Sequence, residues 1–319
     1  MELAKFKKHI KQTRDKYFVD TQKMVDMVFS NSGYDQKPKS YFLNTPTDFL
    51  EGMRKELWTN LRETEKVFNV FVMEDLLSES RNLEDKIDIR DKDTFLEKVS
   101  VLLSEYDEHI IELGKSNTNS RRSRAGKEFE HTVHKLFLMS GIRFDPQGYI
   151  GQKKFEEQGL SKIVDSVVPG VLEYHLEKHK CALISMKTSL RERWQEVPEE
   201  RSRTGAHMMY LITLDEQISN EIIDSLYEHN VRIVVRDWIK ETKYKQNQRV
   251  LGLRNLIEDL LDIMEYWNRK KRRVYSDEQF LEKYNDYRER SQNEGITSAE
   301  RCMWDEHMNM FKSKKKRPD

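Results

Sequence analysis

The sequence predicts an α/β fold in which helices cover a mixed sheet and further helical regions lie before and after it. Between residues 163 and 235, short apolar runs alternate with the two-residue period of strands, and stretches with helical period separate them. Before about residue 115 and after about residue 250, apolar residues recur instead with the period of amphipathic helices. We therefore expect a helical N-terminal region over 1–115, a core over 116–250 and a helical, basic extension over 251–319.

The N-terminal region is predicted to be helical because its apolar residues form stripes. Its three amphipathic stretches are 4–30, 47–76 and 93–114. A turn-rich insert, 31–40, separates the first two. Residues 115–123 are polar and lack periodicity, which indicates a linker or a surface loop. The next helix is predicted to start near Ser123, and its buried stripe is Phe129, Val133, Leu136 and Phe137.

The core is predicted to alternate strands and helices. Its elements in chain order are a strand at Ile163–Val168, a strand at Cys181–Lys187, a helix at 191–203, a strand at His207–Leu214, a helix at Ser219–His229 and a strand at Val231–Val235. Pro169 and Gly170 end the first strand. Leu172–His175 is interpreted as part of a hairpin with the second strand.

Composition and charge exclude several classes of protein. The 319 residues carry 56 basic and 56 acidic side chains, so phosphate binding has to be local. For the basic run Arg269–Arg273, a solvated helix face is as good an explanation as phosphate binding. For Lys314–Arg317, a solvated tail is a better explanation than phosphate binding. No run approaches the roughly 18 apolar residues of a membrane span, and no secretory signal is apparent. With only Cys181 and Cys302, the chain is expected to lack disulfides and to be cytoplasmic.

Nucleotide cofactors are not expected. Gly126 and Lys127 lack the earlier glycine and the following Ser or Thr of a Walker loop, and no glycine-rich dinucleotide loop is present. His131 and His134 are spaced for metal binding on a helix, but no third ligand is evident and a surface pair is the better interpretation.

Asp165 and Lys187 are the first candidates for chemistry. Metal-dependent cleavage of a phosphodiester needs carboxylates for a hard divalent cation and a lysine near the attacking water. Asp165 lies on the first predicted strand and Lys187 on the second, 22 residues later. Ser185 occupies the position, two before the lysine, where an acid is usual. An acid on the following helix can replace it, and the candidates are Glu196, Glu199 and Glu200, of which Glu196 and Glu200 share a face.

A possible base-reading segment follows closely. Arg191, Glu192 and Arg193 begin four residues after Lys187. Arginine contacts guanine with two hydrogen bonds in the major groove, and glutamate accepts from the cytosine amino group. The segment is therefore suited to two adjacent G·C pairs. Taken singly, Lys187 is also explained as a strand-end lysine, Asp165 as a turn cap, and the arginines as an exposed helix face.

The order Asp165, Ser185-x-Lys187, Arg191-Glu192-Arg193 and Glu200 resembles the CCGG-type type II restriction endonucleases, the family of the EcoRII catalytic domain, SsoII, PspGI, PfoI and NgoMIV. In that family the second carboxylate lies on the helix after the lysine, with twelve residues between them, which corresponds to Glu200 here. The segment from Ser123 to Glu130 also resembles a family motif, whose glutamate is an auxiliary active-site acid. The resemblance covers about residues 120–236 and is strongest to the SsoII and PfoI branch.

The resemblance implies a restriction-endonuclease-like PD-(D/E)xK fold in a bacterial or archaeal homodimer that cuts double-stranded DNA with Mg²⁺. Asp165 and Glu200 would hold the metal, with Glu130 as an auxiliary acid, and Lys187 would act on the attacking water. Two-fold symmetry would join two CC:GG half-sites into a palindrome. In the SsoII-like branch the site contains CCNGG, and the central bases are flipped into protein pockets.

Two further sets of residues are predicted to contact DNA. The polar, acid-free stretch that contains Arg121, Arg122 and Arg124 is suited to grip backbone phosphates. A platform for a flipped base is expected around Arg54, Trp58 and Arg62, although Trp58 is equally consistent with a core position. The alternatives to a restriction enzyme are another nuclease of the same fold, for repair or junction resolution, and a non-catalytic DNA-binding regulator.

Overall fold

The computed structural model describes residues 1–78, 92–147, 160, 164–191, 194 and 208–312. Its helices are α1 Leu3–Tyr17, α2 Thr21–Asn31, α3 Lys39–Asn44, α4 Pro46–Ser78, α5 Lys92–Glu105, α6 Asp107–Met139, α7 Val171–Leu176, α8 Asn220–Glu228, α9 Asp237–Lys243, α10 Leu253–Val274, α11 Asp277–Ser291 and α12 Ser298–Asn309. Its strands are β1 Asp145–Pro146, β2 Ser166–Val168, β3 Ala182–Lys187, β4 Met209–Thr213, β5 Val231–Val235 and β6 Val250–Gly252. None of the described helices combines the length and apolar character needed to cross a membrane.

The described strands form one mixed sheet of six strands in the order β1 to β6. β1, β2 and β3 pair antiparallel, whereas β3, β4, β5 and β6 run parallel. β3 is buried along its length except at Lys187, because helices cover both faces of a parallel sheet. Parallel strands end at the same edge, and Lys187 is paired there with Thr213 of β4. The predicted α/β fold with a helix-covered mixed sheet is confirmed.

The chain forms two compact units. The helical unit comprises Met1–Met24 and Lys55–Lys127, and the sheet unit comprises Val25–Arg54 and Glu128–Asp319. This division differs from the three consecutive regions expected from the sequence, because residues 25–54 belong with the sheet. An apolar cluster stabilises the helical unit, and its buried members are Phe6, Ile10, Phe68, Val72, Leu76, Tyr106 and Leu113.

Three local predictions were wrong. Residues 115–123 are not a linker or loop but lie inside α6, where Leu113 and Asn117 are buried on one face. Leu172–His175 lies in α7 rather than in a hairpin, because the Asp145 carboxylate accepts the N–H of Val171 at 2.8 Å and satisfies the first turn of a helix. Past residue 250 the chain first adds the edge strand β6 before α10 begins.

A buried ionic cluster ties the C-terminal helices to the sheet unit. Lys283 of α11 lies 3.3 Å from an Asp145 oxygen and 2.9 Å from a Glu173 oxygen. Arg290 of the same helix lies 2.8 Å from the other Asp145 oxygen and donates to the Phe144 carbonyl at 2.8 Å. Because Asp145 is in β1, this cluster fixes the strand that pairs with β2, next to Asp165.

Candidate active site

Asp165 and Lys187 lie side by side where two neighbouring strands meet. Asp165 directly precedes β2, and its N–H donates to the Ile184 carbonyl of β3 at 2.9 Å. The Lys187 amine lies 3.4 Å from Asp165 Oδ2, and the Met186 N–H donates to the same oxygen at 2.5 Å. The Asp165 side chain is 18 % exposed and that of Lys187 is 25 % exposed. Antiparallel pairing therefore brings the two residues together in a recess that solvent can enter.

Electrostatics at this recess favour a cation. Burial raises the pKa of the Asp165 carboxyl, and the Lys187 ammonium and the Met186 N–H offset this effect only in part. The ionised carboxylate is therefore short of compensating positive charge. A divalent cation supplies that charge and stabilises the ionised form.

The donors present fit Mg²⁺, which prefers hard oxygen ligands. Asp165 provides a carboxylate, and the Ser185 hydroxyl beside it is buried and makes no hydrogen bond of normal geometry with the described residues. In the described part of the chain, no three His, Cys, Asp or Glu side chains converge as a metal site. Glu200 lies outside the described residues, as do Glu196 and Glu199, so the second carboxylate stays a prediction.

The chain leaves β3 through a turn held by Asp215. Leu190 is 3 % exposed, and its N–H donates to Asp215 Oδ2 at 2.6 Å. Asp215 follows β4, and its own N–H donates to Thr213 Oγ1 at 3.2 Å. Arg191, the next residue, is exposed and has a backbone φ of +38°. Residues other than glycine rarely adopt this left-handed region. The predicted base-reading arginine thus emerges from a fixed point at the strand edge, while Glu192 and Arg193 lie outside the described residues.

Glu130, His131 and His134 all lie on α6. Glu130 is half-buried, and its role as an auxiliary acid stays a prediction. His134 is a packed residue and not part of a surface pair, because its ring stacks on Phe144 and its Nε2 lies 2.6 Å from the Ser166 hydroxyl. Burial and repulsion from His131 and Arg290 lower the pKa of His134 to about 3, so the ring is neutral.

The three arginines predicted to bind phosphates have different surroundings within α6. Arg121 forms a two-pronged ion pair with Glu65, which is 2 % exposed, at 2.5 and 2.9 Å. Arg124 donates to the Val19 carbonyl at 2.9 Å, and Arg122 is exposed. Arg122 is therefore the best placed of the three for a backbone phosphate, whereas Arg121 stabilises the helical unit.

Trp58 is an exposed aromatic surface and not a core residue. Its side chain is 52 % exposed on α4. The guanidinium groups of Arg62 and Arg121 lie 5.8 and 6.0 Å from its ring centre. Arg62 also pairs with Glu65 at 2.5 Å, and Arg54 is exposed on the same helix. An exposed ring flanked by cations is suited to stack with a base.

Sequence reasoning missed Asp215 and the packing of His134. Asp215 directly follows a predicted strand, and a carboxylate at the end of a parallel strand lies at the same edge as Lys187. Its position in the sequence was therefore sufficient to predict that Asp215 lies near the candidate site. No comparable signal existed for His134, because its partner Ser166 is 32 residues away.

Comparisons with known proteins show which family this chain resembles. The family model described as EcoRII C terminal matches residues 88–257. The type II restriction enzyme SsoII of Shigella sonnei is 42 % identical over 265 residues, 83 % of this chain and 84 % of that enzyme. The type II restriction enzyme EcoRII of Escherichia coli is 30 % identical over 134 residues, which are 40 % of this chain and 30 % of that enzyme.

Solved structures extend the likeness to nearly the whole chain. Ecl18kI, solved metal-depleted in complex with uncleaved, modified DNA, has a TM-score of 0.85 and 35 % identity and covers 98 % of this chain and 100 % of its own. PspGI in complex with substrate DNA has a TM-score of 0.55 at 18 % identity over 78 % of this chain and 94 % of its own, which shows the fold alone. The chain belongs to the EcoRII C-terminal family and is a type II restriction endonuclease of the SsoII and EcoRII kind.

Proposed function

We propose that this enzyme makes Mg²⁺-dependent double-strand cuts in DNA at a palindrome built from CC:GG half-sites, with the sequence CCNGG and flipped central bases. The observation that carries the proposal is the pairing of Asp165 with Lys187 in a half-buried recess, directly before the turn that presents Arg191. The relatives support it, since Ecl18kI and PspGI were solved with DNA bound. The Ecl18kI complex is metal-depleted and its DNA is uncleaved.

Asp165 and Glu200 would hold the metal, with Glu130 as an auxiliary acid. Bound Mg²⁺ would supply Lewis-acid activation of the scissile phosphate and of the attacking water. Lys187 hydrogen-bonds Asp165, so it can orient that carboxylate. Its ammonium would also offset the negative charge that develops on the phosphate. Both side chains are partly exposed, so solvent reaches the recess.

Recognition would come from Arg191, Glu192 and Arg193. Each arginine would donate to the O6 and N7 atoms of one guanine, and the glutamate would accept from cytosine amino groups. One subunit would thus contact one half-site. A homodimer would complete the palindrome, because a two-fold axis relates two identical half-sites.

Digestion of a plasmid with Mg²⁺, followed by sequencing of the ends, tests the proposal. We expect one discrete palindrome with two CC:GG half-sites, and no cutting in EDTA. Cleavage at DNA junctions regardless of sequence would indicate a structure-specific nuclease. Specific binding in EDTA without any cutting after Mg²⁺ is added would indicate a DNA-binding regulator.

The reducing cytoplasm of a bacterium or archaeon is the expected location. Cys181 and Cys302 are both free thiols, which such a compartment maintains. A bacterial source agrees with the organisms of SsoII and EcoRII.

A further inference from the structure

A groove between α1 and α6 in the helical unit carries a strong positive charge. Its volume is about 570 Å³. The charged side chains that line it are Lys7, Lys11, Arg14, Lys115 and Arg124, against the single carboxylate of Glu112. The net formal charge of this lining is therefore plus four, in a chain whose total net charge is zero. Such local concentration of one sign attracts and holds anions.

The groove charge is neutralised only in part by the carboxylate that lines it. Glu112 pairs with Lys7 at 3.3 Å and with Lys115 at 3.0 Å, so one carboxylate serves two ammonium groups. Lys11 is exposed on the same face of α1 as Lys7 and Arg14, at intervals of four and three residues. No ion pair joins Lys11 to any described residue.

Arg14 is the most informative side chain of the groove. Its guanidinium donates through Nη2 to two neutral groups, Asn117 Oδ1 at 2.5 Å and Ser116 Oγ at 3.2 Å. Its Nε and Nη1 atoms are buried and have no hydrogen-bond partner among the described residues. Burial lowers the pKa of Arg14, and the nearby Arg124 lowers it further, while Glu65 opposes them. The guanidinium has no carboxylate within ion-pair distance among the described residues, and the Phe18 and Phe68 rings, with centres 4.8 and 4.3 Å away, compensate for its burial only in part. An anion in the groove would complete that compensation.

The floor of the groove is lined with short hydrogen-bonding side chains. Ser116, Asn119, Ser120 and Ser123 follow one face of α6 at intervals of three, one and three residues. From Glu112 to Ser123 this face is about 16 Å long at 1.5 Å per residue. Each DNA strand carries one phosphate per about 3.4 Å of helix axis, so the groove is long enough for more than one consecutive phosphate. Hydroxyl and amide donors between cations are common partners of phosphate oxygens.

We infer that the groove between α1 and α6 binds the phosphodiester backbone of DNA. The inference deepens the proposed function and rests on it for the identity of the ligand. It assigns a role to Lys7, Lys11, Arg14 and Lys115, and it shares with the arginines predicted from the sequence only Arg124. Contacts of this kind add affinity to every sequence and carry no base preference.

Neutralising the exposed lysines tests the inference. The variant Lys7→Gln/Lys11→Gln/Lys115→Gln is compared with Lys8→Gln/Lys16→Gln/Lys66→Gln, which removes the same charge from exposed sites of the same unit outside the groove. Binding of a non-specific duplex, with Ca²⁺ in place of Mg²⁺, is followed by fluorescence anisotropy over a range of KCl concentrations. The slope of log K against log salt should become shallower by about 2–3 for the groove variant, about 0.9 for each lost phosphate contact. The control should keep the wild-type slope.

A pair of substitutions at one position separates charge from shape. Asn119 is exposed in the groove, so Asn119→Glu introduces a repelling carboxylate, whereas Asn119→Gln keeps the amide. Asn119→Glu should weaken non-specific binding at least about tenfold at low salt, and Asn119→Gln should bind as the wild type does. Circular dichroism melting of both variants confirms that they are folded.

Three outcomes would overturn the inference. One is an equal salt slope for the groove and control triple variants, and another is equal binding by the two Asn119 variants. The third is a thermal shift of the wild type by tripolyphosphate that the groove triple variant loses while its DNA slope is unchanged, which would assign the groove to a free polyanion. The wild-type plasmid digest is run in parallel, because failure of cleavage tests the proposed function and leaves the binding slopes interpretable.

Discussion

Burial raises the pKa of the Asp165 carboxyl, so the ionised form that binds a cation is disfavoured in the metal-free protein. A raised folded-state pKa means that stability falls as the pH rises through it, and the ionised side chain therefore costs stability at neutral pH. Asp165→Asn should thus keep or raise the melting temperature without metal, while cleavage with Mg²⁺ is abolished, because the metal loses a carboxylate ligand. Plasmid digestion and thermal melting measure both effects.

Asp262→Asn is the matched control, since Asp262 is an exposed carboxylate on α10 in the same unit. It should leave cleavage unchanged. Wild-type cleavage by Asp165→Asn would show that another group holds the metal.

His134 should make the stability of the sheet unit depend on pH. In the fold its pKa is lowered to about 3, mainly by burial, whereas the unfolded chain protonates near the ordinary value of 6.5. The neutral ring therefore contributes stability that is complete above pH 6.5 and is lost as the pH falls from there towards 3. Between pH 7 and pH 5 the loss should be about 1–2 kcal/mol.

Urea denaturation of the wild type and of His134→Asn measures this effect. The variant cannot protonate at this position. Its unfolding free energy should therefore change less between pH 7 and pH 5 than that of the wild type, by the loss that His134 causes. His179→Asn, at an exposed position, should behave as the wild type does. Parallel pH dependences of the wild type and His134→Asn would contradict the assignment.

The roles of some single residues could be predicted from the sequence, and those of others could not. Asp165 and Lys187 were predictable because Asp165 lies at the start of one strand and Lys187 at the end of the next, and antiparallel pairing places the start of one strand beside the end of its neighbour. The counter-ion of Arg121 was not predictable, since Glu65 lies 56 residues away on another helix. A run of basic residues looks the same in a sequence whether it contacts DNA or an internal carboxylate.

The turn between β3 and Arg191 depends on one carboxylate from the next strand. Asp215→Ala would leave the Leu190 N–H without its acceptor and release the backbone before Arg191. The cleavage preference for the cognate site over sites with one changed G·C pair should then fall by up to about 1–3 kcal/mol, the worth of one two-pronged guanine contact. Competition digests with the two substrates in one tube measure the ratio.

Asp215→Asn is the conservative partner, because its amide oxygen can still accept the Leu190 N–H. It should retain the discrimination that Asp215→Ala loses. If Asp215→Ala melts at a lower temperature but keeps the wild-type preference, the carboxylate has a structural role alone.

Elements with strong periodicity were predicted well, and polar ones were not. β5 was placed without error at Val231–Val235, and α8 to within a residue at each end, because their apolar residues repeat clearly. Residues 115–123 lack an apolar stripe, yet α6 continues through them, since Leu113 and the neighbouring turns pack on the apolar cluster of the helical unit. Tertiary contacts therefore extended a helix that local sequence did not specify.

The assembled enzyme is expected to be a symmetric dimer, because each chain offers one predicted base-reading segment. Two half-sites of two G·C pairs account for four base pairs of the palindrome. In the proposed CCNGG site, a fifth, central pair would lie on the two-fold axis, where its two different bases cannot be contacted identically by both subunits. Expelling that pair lets the two half-sites approach each other.

Expulsion of the central bases costs a few kcal/mol, which contacts to the extruded bases must offset. Trp58 is suited to this role, since its ring is 52 % exposed and flanked by the Arg62 and Arg121 guanidinium groups. The fluorescence of 2-aminopurine at the centre of a CCNGG duplex should therefore increase when the enzyme binds in the presence of Ca²⁺, because the base leaves the stack. The variant Trp58→Ala should weaken binding by about 1–3 kcal/mol, the range for one base stacked on an aromatic ring, while Val67→Ala, at an exposed position on the same helix, should not. Unchanged fluorescence, together with preferred cutting of an uninterrupted CCGG site, would contradict base flipping and assign a four-base-pair palindrome to this enzyme.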